Sequence, residues 1–228
     1  MHRTSIATSK SVSGERTILR APARTAGPRW PAFERLRRDF ARYYPNGVHL
    51  SRFAKLGLFF DTPGMHAIFV YRFGSWVVRH VQLRLLRLPL LAVHSVLDKL
   101  CIICWGISIN PAADIGPGLY VAHFGGIIIG PIVMGSDCNI AHQVTLGMRA
   151  DGREGVPSFG DQVWIGVGSV VYGGIQIGSG VAIAPHTVVS RSVPDRAMVA
   201  GNPMRVLSTD YDNHQAIYGR SRDPEARV

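Results

Sequence analysis

At 228 residues, with 46% hydrophobic and 18% charged residues, the chain can bury one sizeable core with modest tails. Three cysteines are too few for a disulfide framework, and Cys101 and Cys104 form a CxxC without the second pair that a structural zinc site needs. The net charge of +10 attracts anions of many kinds, but no zinc-finger, RNP-type or helix-turn-helix pattern accompanies it, so nucleic acid is not an expected partner.

Residues 1–29 are rich in Arg, Ser, Thr and Ala without an apolar central stretch, which argues against a secretory signal and predicts a disordered tail. An α-helical region over 30–107 follows. "WPAFERLRRDFARYY" carries apolar residues at helical spacing with arginines on the other face, and "PNG" ends it. "TPGMHAIFVYRFGSWVVRHVQ" opens a second helix after a Pro-Gly turn. "LLRLPLLAVHSVLDKLCIICWGI" predicts a third, in which Arg87, Pro89, Asp98 and Lys99 interrupt the run before about 18 clean apolar residues accumulate. It is therefore expected to be buried or to lie along an interface rather than to span a bilayer, with its two cysteines packed, and loose peripheral membrane contact is compatible with it.

From Ile109 onward glycine becomes frequent and aliphatics recur every six residues. Ile109, Ile115, Val121 and Ile127 form one series, and after a one-residue slip Ile128, Met134, Ile140 and Leu146 continue it. Phe159, Ile165, Val171, Ile177, Ile183 and Val189 then hold phase without error. Neither an α-helix nor a flat strand has this period; a hexapeptide β-helix does, each hexad giving a short strand and a turn, and three hexads one triangular coil. The expected class is mainly β, a parallel β-helix over 108–207 with the helical region before it and a C-terminal tail over 208–228.

If Val121, Ile140, Ile165 and Ile183 occupy equivalent places, the residues two positions later stack in one column: His123, His142, Val167 and Pro185. Neighbouring coils lie roughly 4.8 Å apart, so the two histidines should be near neighbours. The polar excursion "GMRADGREGVPS", 147–158, interrupts the later hexads one corner after His142. The β-helix itself does not need such a loop, which makes it a candidate wall for a ligand groove.

The stretches "INPAADIGPGLYVAHFGGIIIG" and "IAHQVTLG", the ending "VPDRAMVAGNPMRVL" and the lead-in "PGMHAIFVYRFGSWV" resemble the serine acetyltransferase branch of the hexapeptide-repeat acyltransferases. The resemblance covers about three quarters of the chain and implies a trimeric left-handed β-helix that binds acetyl-CoA between subunits and acetylates a hydroxyl. His123 matches the family's catalytic base, and imidazole suits that task because it is largely neutral at pH 7. His142 is expected to add a second polar group to the pocket, and His186, one step off the column, to lie at the surface or beside the cofactor. For the cofactor, Gly147, Gly166, Val167, Ala184 and Pro185 match places where backbone groups follow the pantetheine. Arg205 matches a basic residue near the nucleotide end. A backbone N–H near Gly147 is the expected oxyanion donor, Arg149 and Arg153 are candidate phosphate partners on charge, and neither a metal nor a covalent enzyme intermediate is required.

Members of the branch that use L-serine carry a second histidine just after the long loop and acids near the base. Here Val156, Ala122 and Ser108 stand at those places, and the terminal Val228 replaces the isoleucine through which such enzymes can hold a partner. The expected acceptor is accordingly a sugar hydroxyl of an exopolysaccharide or lipid-linked glycan, made in the cytoplasm or at the inner membrane face. L-serine O-acetylation and a non-catalytic β-helix scaffold are the alternatives. A γ-class carbonic anhydrase is disfavoured, because the spacings among His123, His142 and His186 do not match its three metal ligands.

Overall fold

The hexads wind into a prism because each places one aliphatic side chain inward and leaves the next residue at a tight corner. In the computed structural model, residues 30–44, 51–148 and 155–219 are described. The first coil comprises β1 (Ile107–Ile109), β2 (Asp114–Ile115) and β3 (Tyr120–Val121), and the second β4 (Ile127–Ile129), β5 (Val133–Met134) and β6 (Asn139–Ile140). The third comprises β7 (Thr145–Gly147), β8 (Ser158–Phe159) and β9 (Trp164–Ile165), and the fourth β10 (Val170–Tyr172), β11 (Gln176–Ile177) and β12 (Ala182–Ile183). The fifth has β13 (Val188–Val189), a bridge from Val193 to Ile177, and β14 (Met198–Ala200). Equivalent strands pair in parallel, giving three sheets ordered β1-β4-β7-β10-β13, β2-β5-β8-β11 and β3-β6-β9-β12-β14. Ile115, Val121, Ile140, Leu146, Ile165, Val171 and Ile183 fill the interior with at most 2% exposure.

The expected phase is corrected at one corner. Ile109 pairs with Ile129, and Ile129 with Leu146, so the inward residue of β4 is Ile129. Ile127 is also buried, but Ile128 points outward and is 57% exposed. Eight residues separate Val121 from Ile129, where six separate Ile140 from Leu146; two extra residues are therefore accommodated immediately around His123. A strand step shortened by one residue from Ile129 to Met134 leaves the net slip of one that the sequence displays.

Four helices cap the N-terminal end of the prism: α1 (Ala32–Ala41), α2 (Arg52–Asp61), α3 (Pro63–His80) and α4 (Arg84–Trp105). An end coil exposes a row of unpaired backbone groups, which costs stability unless something pairs with them. Side chains of α1, α3 and the turn after α1 do so. The Tyr71 hydroxyl donates to Ala113 O at 3.0 Å and accepts from Ile115 N at 3.1 Å. Asp39 Oδ1 accepts from Gly118 N and Leu119 N, both at 2.8 Å, while Arg72 donates to Ile115 O and Gly116 O at 2.6 Å. Arg72 and Asp39 are themselves a buried ion pair, Nε to Oδ2 at 2.7 Å. The arginines of α1 are not simply a solvated face: Arg35 donates to Asp114, and Arg38 and Arg42 reach Asp137, so only Arg37 stays outside, on Glu34.

α2 was not expected from apolar spacing; its start is marked by Ser51, whose hydroxyl accepts from Ala54 N at 3.1 Å. α4 packs on α3 and β1 through one face only. His94 and Cys101 are buried there, whereas Cys104 is exposed, correcting the expectation that both cysteines pack. Gly106, in the left-handed conformation at φ 64°, ends α4 and turns the chain straight into β1.

Beyond β14, a turn through Gly201–Met204 leads to β15 (Arg205–Ser208), which runs antiparallel to β14. Residues 211–218 then return along the third sheet and end in α5 (His214–Tyr218). Asn213 Nδ2 donates to Gln162 O at 2.7 Å, and Ile217 O accepts from both Arg42 and Asn139. Part of the segment assigned to a C-terminal tail is thus held against the prism; the tail of residues 1–29 lies outside the described residues.

Candidate active site

The corner between the third and first sheets carries the histidines. Val121 pairs with Ile140, Ile140 with Ile165 and Ile165 with Ile183, so His123, His142, Val167 and Pro185 follow equivalent strand positions. The two rings meet edge to face, with centroids 5.6 Å apart and planes at 81°. His123 sits on the two-residue bulge, next to Phe124, Gly125 and Gly126, and is exposed; Gly125 and Gly126 take positive φ of 105° and 68°. His142 is half-buried beneath it, and its Nδ1 is buried without a hydrogen-bond partner among the described residues. A buried, unpaired ring nitrogen is costly.

Below the histidines the corner is lined by small residues and backbone. Gly166 is packed so closely on the next coil that a Cβ would come within 2.7 Å of Pro185 N and 2.8 Å of Ile183 O. His186 N donates to Val167 O at 2.7 Å, and the His186 ring lies over Gly168, where a Cβ would collide with Nδ1. Val167 is half-buried and Pro185 exposed, forming a shallow apolar track; Ala184 is buried beside it. The track ends at the Gly201–Met204 turn, about 19 Å from His123 at the spacing of parallel strands. Arg205, exposed, begins β15 just past that turn.

A family model, Bacterial transferase hexapeptide (six repeats), matches residues 157–191. Serine acetyltransferase from Synechococcus elongatus is 35% identical over 170 residues, 73% of this chain and 66% of that protein. The crystal structure of serine acetyltransferase from Brucella abortus strain S19 superposes with a TM-score of 0.64 at 30% identity, covering 78% of this chain and 69% of that one. That enzyme has also been solved in complex with coenzyme A. The serine complex of Neisseria gonorrhoeae serine acetyltransferase superposes with a TM-score of 0.63 at 27% identity, covering 78% and 69%.

This chain belongs to the serine acetyltransferase-like hexapeptide-repeat acyltransferases.

The solenoid of five coils with helices before it matches the family's left-handed β-helix. The chain spans 66% or less of the length of the curated serine acetyltransferases it matches. Within the family frame, the structure brings His123, His142, Gly166, Val167, Ala184 and Pro185 to one corner. Gly147 is not there: it ends β7, a strand's length from the His142 corner, at the root of the 147–158 loop, where a Cβ would meet nothing within 4 Å. Arg149 and Arg153 lie outside the described residues. Val156, Ser108 and Ala122, the places expected from the sequence to lack acceptor-binding groups, are filled blandly. Val156 is 9% exposed and joins the core, Ser108 is half-buried in β1 opposite Ile128, and Ala122 is half-buried.

Thiol chemistry has no support at this corner. Burial pushes the Cys138 thiol up to about 12 and that of Cys101 to about 11, and both lie in packed regions away from the histidines. Among the described residues, no three His, Cys, Asp or Glu side chains gather where they could hold a metal ion. What sequence reasoning missed is the bulge. Phe124 and the Gly125-Gly126 pair signal an irregular corner, but a six-residue count alone does not say which side of His123 takes the extra residues.

Proposed function

We propose that this chain is an acetyl-CoA-dependent O-acetyltransferase in which His123 is the general base. The observation that carries the reading is the exposed His123 ring standing edge to face on His142 at the head of a shallow track of small residues and backbone. A neutral His123 ring nitrogen takes the acceptor hydroxyl proton as the oxygen attacks the thioester carbonyl. The tetrahedral intermediate then collapses, the carbon–sulfur bond breaks, and the imidazolium returns the proton to the departing thiolate. An O-acetyl ester and free coenzyme A result, with no electron source or sink needed. The His142 ring adds a second polar group beside the base, and Gly166, Val167, Ala184 and Pro185 guide the pantetheine toward Arg205 at the nucleotide end.

Gly147 and His123 occupy different corners of one prism, so the oxyanion role of the Gly147 N–H requires a neighbouring copy to supply it. A homotrimer with the cofactor between subunits satisfies that requirement. The setting is the cytoplasm, where acetyl-CoA is available.

The acceptor that the relatives support is L-serine: the relatives named above are serine acetyltransferases, and one solved neighbour holds serine. The exopolysaccharide acceptor expected from the sequence therefore becomes the second reading. It keeps one specific support, the buried Val156 and the uncharged Ala122 and Ser108 where an amino acid's charged groups would be held. An acceptor screen with labelled acetyl-CoA tests both. Ester formation on L-serine, at rates well above those on neutral hydroxyls, supports the first. Transfer to nucleotide sugars or oligosaccharides with L-serine untouched supports the second, and no transfer to any hydroxyl overturns the enzymatic reading.

A further inference from the structure

α4 presents an apolar surface that the fold leaves uncovered. Leu85, Leu86, Leu88, Val93, Val96 and Ile103 are each more than half exposed, with Leu85 at 83% and Ile103 at 77%. Contiguous apolar surfaces on this scale are uncommon on soluble monomers and mark interaction sites. Leu85, Leu88, Val96 and Ile103 recur at steps compatible with one helical face, opposite the buried His94 and Cys101. The exposed Arg84 borders that face, and the exposed Lys99 lies within it between Leu88 and Val96 in helical projection.

α4 is 22 residues long, about 33 Å at the helical rise. That length and apolar character suit a bilayer span, but the inner face is committed to α3 and the helix passes through Gly106 directly into β1. Spanning would strip His94 and Cys101 from their packing. A helix held in this way can meet a bilayer only in the plane of its surface, apolar face down and basic side chains toward head groups. Local charge selects the occupant: the exposed Arg84 and Lys99 on this side of α4 complement an anionic bilayer.

We infer that the outer face of α4 docks the protein in-plane on an anionic lipid surface. The inference is independent of the acetyl-transfer reading. The test is cosedimentation of the full chain with vesicles of phosphatidylglycerol and phosphatidylcholine, compared with phosphatidylcholine alone. Preferential binding to the anionic vesicles is expected. A Val96→Glu/Ile103→Glu variant, and separately an Arg84→Glu/Lys99→Glu variant, should each lower partitioning at least about tenfold while far-UV circular dichroism stays unchanged. Three results would overturn the inference. Wild type could fail to bind anionic vesicles, the folded Val96→Glu/Ile103→Glu variant could bind like wild type, or that variant could lose native mass without losing vesicle binding, which would assign the face to a second copy. If a variant does not fold, Val96→Ser/Ile103→Ser replaces it with the same expected direction.

Discussion

The Tyr43 hydroxyl donates to Val121 O at 3.0 Å and accepts from Val121 N at 2.9 Å, two residues before His123. One phenol thus takes the place of the missing neighbour strand at the open edge of β3. It is half-buried against Val121 and the Tyr120 ring, whose centroid is 4.6 Å away, and burial of its hydroxyl drives its pKa far above the ordinary phenol value. The donor proton is therefore retained throughout the working pH range.

Tyr43→Phe removes both hydrogen bonds while keeping the ring. The buried Val121 N–H and C=O lose their partner, at about 1–3 kcal/mol. A thermal melt should fall by several degrees. Under the proposed function, kcat should fall further than the melt alone explains, because the strand leading to the base is loosened.

The Arg72–Asp39 pair does the same work for the preceding strand, β2, and the turn after it. Arg72→Met leaves Asp39 buried without its cation and removes two donors from β2 and the following turn, so the expected loss is about 3–5 kcal/mol. Chemical denaturation should rank this variant below Tyr43→Phe; a loss smaller than that of Tyr43→Phe would show that the ion pair is not the main clamp.

Much of this architecture is legible in the sequence because hexads report directly on which residue points inward. The series from Phe159 to Val189 falls on successive strands as spaced. The first two coils are harder, since a two-residue insertion and a one-residue deletion nearly cancel and let Ile127 and Ile128 mimic the repeat. The His123–His142 juxtaposition survives that error because both histidines follow paired strands. The end-capping by Tyr43, Tyr71, Asp39 and Arg72 is not legible: these residues sit on α1, α3 or the turn after α1, whose spacing reveals a face but not the backbone atoms it meets. The same holds for residues 211–218, whose polar composition hides their docking on the third sheet.

Two glycines separate folding from function. Gly166→Ala forces a Cβ against backbone of the next coil and should lower the melt and raise KM for acetyl-CoA together. Gly147→Ala meets open space and should leave the melt within about 0.5 kcal/mol of wild type. Any loss of kcat in that variant then reports on its proposed backbone contact rather than on the fold, and differential scanning calorimetry beside initial rates distinguishes the two.

Burial holds the His94 imidazole below its ordinary pKa, with Asp98 opposing the effect. The folded state therefore binds the proton less readily than the unfolded chain, whose histidine titrates near 6.5. Stability from this group is intact above that value and declines as pH falls below it. His94→Leu should narrow the difference in melting temperature between pH 7.5 and pH 5.5; an unchanged difference would mean that His94 does not contribute to acid lability.

The most direct measurement is the initial rate of coenzyme A release by full-length protein, with acetyl-CoA and the best acceptor, for wild type and His123→Ala. Exposure of His123 on the surface bulge predicts a normal fold for the variant, with activity lowered by about 100-fold or more. A folded His123→Ala protein that keeps a rate within about threefold of wild type would contradict the account.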